Sequence, residues 1–306
     1  MGISKVKDLL DKKNYMIGVP SRERSSMIRE RKGLWLHTEP IGSYPVRVCV
    51  RESEMKDYED MVPAFSVPDS FTIANKRQRL MEYAIHSVYE FLFIIDDDVA
   101  LYFRDEDLSS KYTSKRETFQ AGDCFNRILY EAIMLCGEKA PIIGLPLKLG
   151  SFGLKWKFPK NIPVIRFVCY HVPTLVKENI KMDGMGTVFM SDRYTHLSLL
   201  SKGHYSLSNC GYAVGDQGTG YKGGCSITRT VELQSASAIA LRDTFPNHVE
   251  LKIKNNGLWD AERLDCRISW RKFLKEGESN FIPTEEGKNI IEREGYVCRS
   301  TQLSAS

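Results

Sequence analysis

Several familiar signatures are missing from this sequence. No stretch approaches the roughly 18 consecutive apolar residues that a membrane-crossing helix needs, so no contact with a bilayer is expected. The opening segment, Met1 to Asn14, is charged and lacks the apolar core of a secretory signal, and a cytoplasmic protein is the expectation. The eight cysteines (Cys49, Cys124, Cys136, Cys169, Cys210, Cys225, Cys266, Cys298) form no C-x-x-C pair. That excludes the usual zinc and dithiol spacings and fits reduced thiols. There is no P-loop, no dinucleotide fingerprint in a strand–turn–helix setting and no internal repeat. A large charge excess is missing too: 43 basic residues against 39 acidic ones leave +4, which permits an acidic partner without demanding one.

What the chain does contain is an uninterrupted apolar run, Phe91 to Ile95, that ends in three carboxylates, Asp96, Asp97 and Asp98. This reads as a buried strand leading into a charged site. Strand neighbours face opposite ways, so Asp96 and Asp98 project together while Asp97 points away. Two carboxylates in one small volume raise each other's pKa unless a cation or hydrogen-bond donors hold them ionised. Mg²⁺ or Mn²⁺ is the natural partner, because such ions take one or two carboxylates together with substrate phosphates. The plain alternative is a solvated turn or a helix cap. Ligands of open α/β sheets gather at the carboxyl ends of strands, which favours a metal-bound diphosphate.

Other segments fall into place around this strand. Tyr15 to Val19 is a short strand followed by a basic loop, Pro20, Ser21, Arg22 and onward to Ser25, which is either a nucleotide pocket or a solvated turn. Pro45 to Arg51 is a second strand, and Glu54 to Met61 a short helix stopped by Pro63. A helix follows with Leu80, Met81, Ala84 and Ile85 at helical spacing and Asn75 as its cap. Lys76, Arg77 and Arg79 in its first turns oppose the helix dipole, which suggests an anion to bind or a merely exposed basic face. Arg104 to Thr118 is a polar lid or loop.

Further along, Val164 to Tyr170 is read as a strand. Lys155, Trp156, Lys157 and Lys160 interleave cations and aromatics, the texture of a surface for a phosphate backbone or of a packed tryptophan among solvated lysines. Gly186 to Met190 reads as another strand, ending in Ser191-Asp192 before a helix, so Asp192 is a cap or a catalytic base. Six glycines between Gly211 and Gly224 mark a flexible site loop or a connector. Cys225 to Phe245 is expected as a helix and Val249 to Lys254 as a one-sided strand. Arg263, Arg267, Arg271 and Lys272 fall in a helical or irregular piece, and the chain from Glu276 onward looks peripheral.

The order of these pieces over about residues 15 to 210 resembles the GT-A fold of nucleotide-sugar glycosyltransferases. The resemblance implies an α/β fold, a Rossmann-like nucleotide-sugar-binding mixed sheet flanked by helices. Residues 1–210 would be the catalytic core, and 211–306 a basic α+β extension closing the site within the same compact domain. Asp96 would contact the nucleoside side and Asp98 the metal, Mn²⁺ or Mg²⁺, with His204 or Asp216 as a further ligand. Asp192 matches the acidic base of the family's Glu-Asp motif, with Ser191 in place of Glu. Val19-Pro20-Ser21-Arg22, Asn75-Lys76-Arg77, the three aspartates including Asp97, and Lys222-Gly223-Gly224-Cys225 with Arg229 resemble more closely the TET/JBP-associated glycosyltransferases of bacteriophages. Those enzymes are associated with glycosylation of hydroxymethylated pyrimidines in DNA. The implied reaction is transfer of a hexose, with inversion, from a nucleoside diphosphate sugar such as a UDP-glucose-like donor to 5-hydroxymethylcytosine. Pro20, Ser21, Arg22, Asn75, Lys76 and Arg77 would line the donor site, Lys155 to Lys160 would meet DNA, and the location would be the host cytoplasm. A polysaccharide, lipid or protein acceptor, a sugar nucleotidyltransferase and a non-catalytic DNA-binding module are the rival readings.

Overall fold

A computed structural model describes residues 3–38, 41–104, 121–148, 154–215, 224, 228–255 and 262–294. In chain order, α1 (Ile3–Leu10) leads to β1 (Tyr15–Pro20), α2 (Ser25–Arg29), β2 (Val46–Arg51) and β3 (Ala64–Val67). Helix α3 (Ile73–His86) returns the chain to β4 (Phe91–Ile95), which is followed by β5 (Ala100–Phe103), α4 (Ala121–Leu135), β6 (Ile142–Gly144) and β7 (Phe158–Pro159). Then come β8 (Phe167–His171), α5 (Val172–Lys177), α6 (Ser191–Ser201), β9 (Ser206–Ser208) and β10 (Tyr212–Gly215). The last third holds α7 (Val231–Thr244), β11 (Val249–Lys254), β12 (Arg263–Ile268), β13 (Phe281–Ile282) and α8 (Thr284–Glu292).

Seven strands form one sheet in the order β3-β2-β1-β4-β8-β6-β9. Only β8 runs against its neighbours; the other six are parallel. From β1 the chain steps outward to β2 and β3, then returns to the opposite side of β1 as β4. A sheet whose order reverses in this way leaves a crevice at the carboxyl ends of the two diverging strands. Because β8 is antiparallel, its entry lies at that same edge, and the Asp96 amide donates to the Arg166 carbonyl at 3.0 Å.

The apolar run of β4 is explained by burial on both faces of the sheet. Phe91, Phe93 and Ile95 join the core beneath α1, α4 and α8, whereas Leu92 and Ile94 pack with Leu80, Met81 and Leu175 on the other side. A third apolar cluster joins Phe189, Met190 and Leu197 to Ala238 and Leu241 of α7 and to Val249 and Cys266 of the β11–β12 hairpin. Among the described residues no helix is long and apolar enough to cross a membrane.

Several local expectations change. The cap of α3 is Thr72, whose hydroxyl accepts from the Asn75 amide, while the Asn75 side chain accepts from the Thr72 amide; Asn75 is therefore the inner partner of a capping box. Gly186 to Met190 is a sequence of bends, because Met190 takes a left-handed conformation (φ 65°) that no strand allows. The strand expected from Val164 begins only at Phe167, and the helix expected from Cys225 is α7, starting at Val231. Residues 263 to 268 are strand β12, paired in register with β11. The chain beyond Glu276 is not peripheral: β13 pairs with β7, and Ile282 and Ile291 are buried in the main core. The polar segment expected as a lid lies, from residue 105 onward, outside the described residues.

Candidate active site

The crevice between β1 and β4 is built from charged side chains that the sheet brings together from distant parts of the chain. Alternation at the end of β4 holds. Asp97 turns inward, 2% exposed, where it accepts from the Ser21 hydroxyl and from Arg24, each at 2.5 Å. Asp96 and Asp98 stay partly open. Asp98 pairs with Arg24 at 3.0 Å and Arg166 at 3.6 Å, and Asp96 with Arg77 at 3.3 Å. The turn entered at Gly33 (φ 60°) lies directly on this strand end. The Leu34 amide donates to the Asp97 carbonyl, and a side chain at position 33 would stand 2.6 Å from that oxygen, so only glycine fits.

Arg77 joins two halves of the site. Its guanidinium reaches Asp96, the Ser191 hydroxyl at 3.1 Å and the Asp192 carboxylate at 3.8 Å. Asp192 is not the cap of α6; Met190 occupies that position and the helix has no side-chain cap, which leaves Asp192 in the first turn, within reach of Arg77. The two carboxylates therefore share one arginine although 96 residues apart and on elements that are not neighbours in the sheet.

Burial is the first influence on these groups. It raises the Asp96 carboxyl, with Asp98 adding to the rise and Arg77 opposing it. Burial lifts Asp97 to about 6 against the pull of Arg24, so it is ionised at neutral pH. Burial alone would lower Arg24, but Asp97 and Asp98 outweigh it and raise the guanidinium further into its charged form. Among the described residues, four carboxylates (Asp96, Asp97, Asp98, Asp192) thus meet three guanidiniums (Arg24, Arg77, Arg166).

Among the described residues no cluster of three or more His, Cys, Asp or Glu side chains could enclose a metal alone. The partly open pair Asp96 and Asp98, with oxygen-only donors, fits a Mg²⁺ or Mn²⁺ ion whose remaining ligands would be substrate phosphates and water. His204 is not available to it: its ring meets the Glu138 carbonyl and the Glu178 carboxylate beyond the C-terminal end of α6. Asp216, Lys222 and Gly223 lie outside the described residues.

The other expected residues divide. Ser21 supports Asp97, and Pro20 ends β1 in the core layer. Lys76 is 2% exposed and donates to the Ser21 carbonyl at 2.5 Å; burial lowers its ammonium. The basic start of α3 is thus answered within the protein, by a carbonyl for Lys76 and by carboxylates for Arg77. Asn75 also donates to Asp183 at 3.2 Å. Arg22 donates to Thr228 at 3.2 Å, and its carbonyl accepts from the Gly224 amide, so Gly224 lies against the β1 loop. Arg229 lies over the Phe189 ring at 4.9 Å.

The expected DNA segment lies beside β9, the edge strand of the sheet, and is partly committed to the fold, with Lys155 and Trp156 exposed. Lys157 is buried, Lys160 pairs with Glu278 at 2.8 Å and lies over Tyr205, and Trp156 stacks on Phe281 at 3.8 Å; Lys155 is exposed. Two residues essential to the cleft carried a weak signal or none. Arg24 stands in the basic loop only two residues past Arg22. Arg166 could be placed only by knowing that β8 is antiparallel and adjacent to β4.

A mostly parallel sheet flanked by helices, with an acidic strand end at its reversal point, agrees with the GT-A-like α/β fold expected of the protein. The chain belongs to the family described as TET-associated glycosyltransferases, whose model matches residues 15–224. No curated protein matches the chain. Among solved structures, a mycobacterial protein is similar at 7% identity and a TM-score of 0.45, with 88% of each chain covered. S. aureus TarS 1–349 in complex with UDP is similar at 8% identity and a TM-score of 0.40, covering 75% of this chain and 66% of that one. The mannosyltransferase PcManGT from Pyrobaculum calidifontis, in complex with GDP-Man and Mn²⁺, is similar at 12% identity and a TM-score of 0.37, covering 68% and 61%.

Proposed function

We propose that the protein transfers a hexose from a nucleoside diphosphate sugar to the hydroxymethyl group of 5-hydroxymethylcytosine in DNA, with inversion at the sugar carbon. Family membership supports the transfer and the class of acceptor. The observation that carries the reading is that one guanidinium, Arg77, contacts both the acidic strand end and Asp192, so a donor site and a proton acceptor face each other across one cleft.

Asp192 takes the proton of the acceptor hydroxyl as general base, a contribution on the order of 10²–10⁴ in rate. A single base acting opposite the departing diphosphate produces inversion. Asp98, with Asp96, would hold Mn²⁺ or Mg²⁺, which when bound neutralises charge developing on the diphosphate. Arg24 and Arg166 hold Asp98 in place and Arg77 holds Asp96 and Asp192 at a fixed separation, so the geometry is set before substrates arrive. Asp97 belongs to the scaffold of the site, tying the β4 end to the β1 loop through Ser21 and Arg24.

The test is incubation of the protein with duplex DNA containing 5-hydroxymethylcytosine and a panel of sugar nucleotides, read by mass spectrometry of the released nucleosides. A hexose-sized mass gain on hydroxymethylcytosine, dependent on one donor, is expected. Donor turnover with a carbohydrate, lipid or protein acceptor and an unmodified nucleoside would overturn the DNA assignment.

A further inference from the structure

The loop after β1 is gripped by a segment that carries none of the cleft's charges. Between β2 and β3 the chain makes a short 3₁₀ helix, Glu52–Asp57, followed by Tyr58. Tyr58 is 1% exposed, and its hydroxyl stands between two groups of the β1 loop: the Ser21 hydroxyl at 3.0 Å, and the Arg24 amide, which donates to it at 3.0 Å. The directions of these bonds are determined. Asp97 is ionised at neutral pH and can only accept, so the single Ser21 proton goes to its carboxylate and Tyr58 donates to the Ser21 oxygen. Burial pushes the Tyr58 phenol up to about 12, so the proton it donates is present at neutral pH.

These bonds close a circuit. It runs from the Arg24 amide to Tyr58, to Ser21 and to the Asp97 carboxylate, and returns through the Arg24 guanidinium, which meets the same carboxylate. A buried polar network whose members are all bonded fixes one geometry. The neighbouring residue is held against its preference: Glu23 has φ 54°, a left-handed conformation that a side chain disfavours, and its amide donates to the buried Glu54 carboxylate at 2.7 Å. Glu54 and Tyr58 therefore grip two successive amides of the loop, those of Glu23 and Arg24. What this grip places is the Arg24 guanidinium, which reaches Asp98 at 3.0 Å. Tyr58 itself is too deeply buried to touch a substrate.

We propose that Tyr58 is a positioning residue for Asp98: through Ser21, Asp97 and Arg24, its hydroxyl sets the orientation in which the Asp98 carboxylate receives a divalent ion. The proposal rests on the reading of Asp98 as a metal-binding residue and adds the buried group that holds it ready. It does not depend on which acceptor the enzyme uses.

The test compares wild type with Tyr58→Phe, which removes one oxygen from a buried ring, and with Ile291→Val, a comparator in the part of the main core covered by α8. Mn²⁺ alone is titrated into each protein, with the free ion followed by electron paramagnetic resonance. Melting temperature, and single-turnover transfer at low and at saturating Mn²⁺, are measured alongside. Removing a group that supports a metal ligand costs about 10–100-fold in affinity, and Tyr58 acts one residue further out, so Tyr58→Phe should weaken Mn²⁺ binding about three- to tenfold. Its transfer should be slow at low Mn²⁺ and recover at saturation. Both variants should melt about 2–5 °C below wild type, while Ile291→Val binds Mn²⁺ as wild type does. Wild-type Mn²⁺ affinity in Tyr58→Phe, or equal weakening in Ile291→Val, would overturn the proposal. If the affinity falls as expected but hydroxymethylcytosine stays unmodified, the positioning role is supported and the DNA acceptor is wrong. Absence of Mn²⁺ binding by wild type would overturn the metal reading of Asp98 and this proposal together.

Discussion

Asp97 and Asp98 are adjacent, yet replacing each by Asn should damage different properties. Asp97 is enclosed: its partners are Arg24, whose side chain is 12% exposed, and the Ser21 hydroxyl. Removing one member of a buried ion pair costs about 3–5 kcal/mol when the other charge is left uncompensated. Here Arg24 keeps Asp98 at 3.0 Å, Asn retains the bond to Ser21, and the burial that opposes a charge at this position no longer acts, so the loss should fall to about 1–2 kcal/mol. At about 2–4 °C per kcal/mol for large domains, Asp97→Asn should melt roughly 5 °C below wild type. Asp98 is partly open and contributes less to the core, so Asp98→Asn should melt within about 2 °C of wild type while transfer is lost. The assay is a thermal melt of both variants alongside single-turnover transfer with Mn²⁺ supplied and with Mn²⁺ chelated. An Asp97→Asn protein with the wild-type melt, or an Asp98→Asn protein that turns over normally in chelator, would refute the division of roles.

Arg77→Lys keeps a positive charge but cannot span Asp96, Ser191 and Asp192 together, so transfer should fall by about 10²-fold with little change in melting temperature; unchanged turnover would show that the bridge does not position the base. His196 is 1% exposed, held down to about 3 by burial, and neither ring nitrogen has a hydrogen-bond partner among the described residues. His196→Phe should therefore stabilise the protein by about 1 kcal/mol, and a lower melting temperature would mean that the ring nitrogens have a bonded role. Gly224 has φ 68°, and a side chain there would stand 2.7 Å from the Arg24 guanidinium, so Gly224→Ala should cost about 1–2 kcal/mol in a denaturant titration; a wild-type midpoint would contradict that placement.

The parts of the protein legible in sequence were those governed by local pattern. Five apolar residues ending in three aspartates specify a strand buried on both faces with a polar end, and period-two alternation turns Asp97 inward. What local pattern does not contain is strand order. Without knowing that β8 lies antiparallel beside β4, nothing marks Arg166 as a neighbour of Asp98. The stretch before Asp192 is apolar because it packs on α7, not because it is a strand, and hydrophobicity alone does not separate the two. In the cation-rich segment at Lys155, Lys155 and Trp156 are exposed, while Trp156 also stacks on Phe281 and Lys160 pairs with Glu278, contacts more than a hundred residues away that local pattern does not contain.

The central claim, that Asp192 is the base facing a donor held at Asp96 and Asp98, is tested most directly by Asp192→Asn. The substitution leaves the strand end untouched, and because the cap position is Met190 it removes no cap. Sugar-nucleotide affinity and single-turnover transfer to hydroxymethylated DNA should be measured on the same preparation. The account predicts affinity within about twofold of wild type and transfer reduced by roughly 10²-fold or more. Near-normal transfer with normal affinity would contradict it.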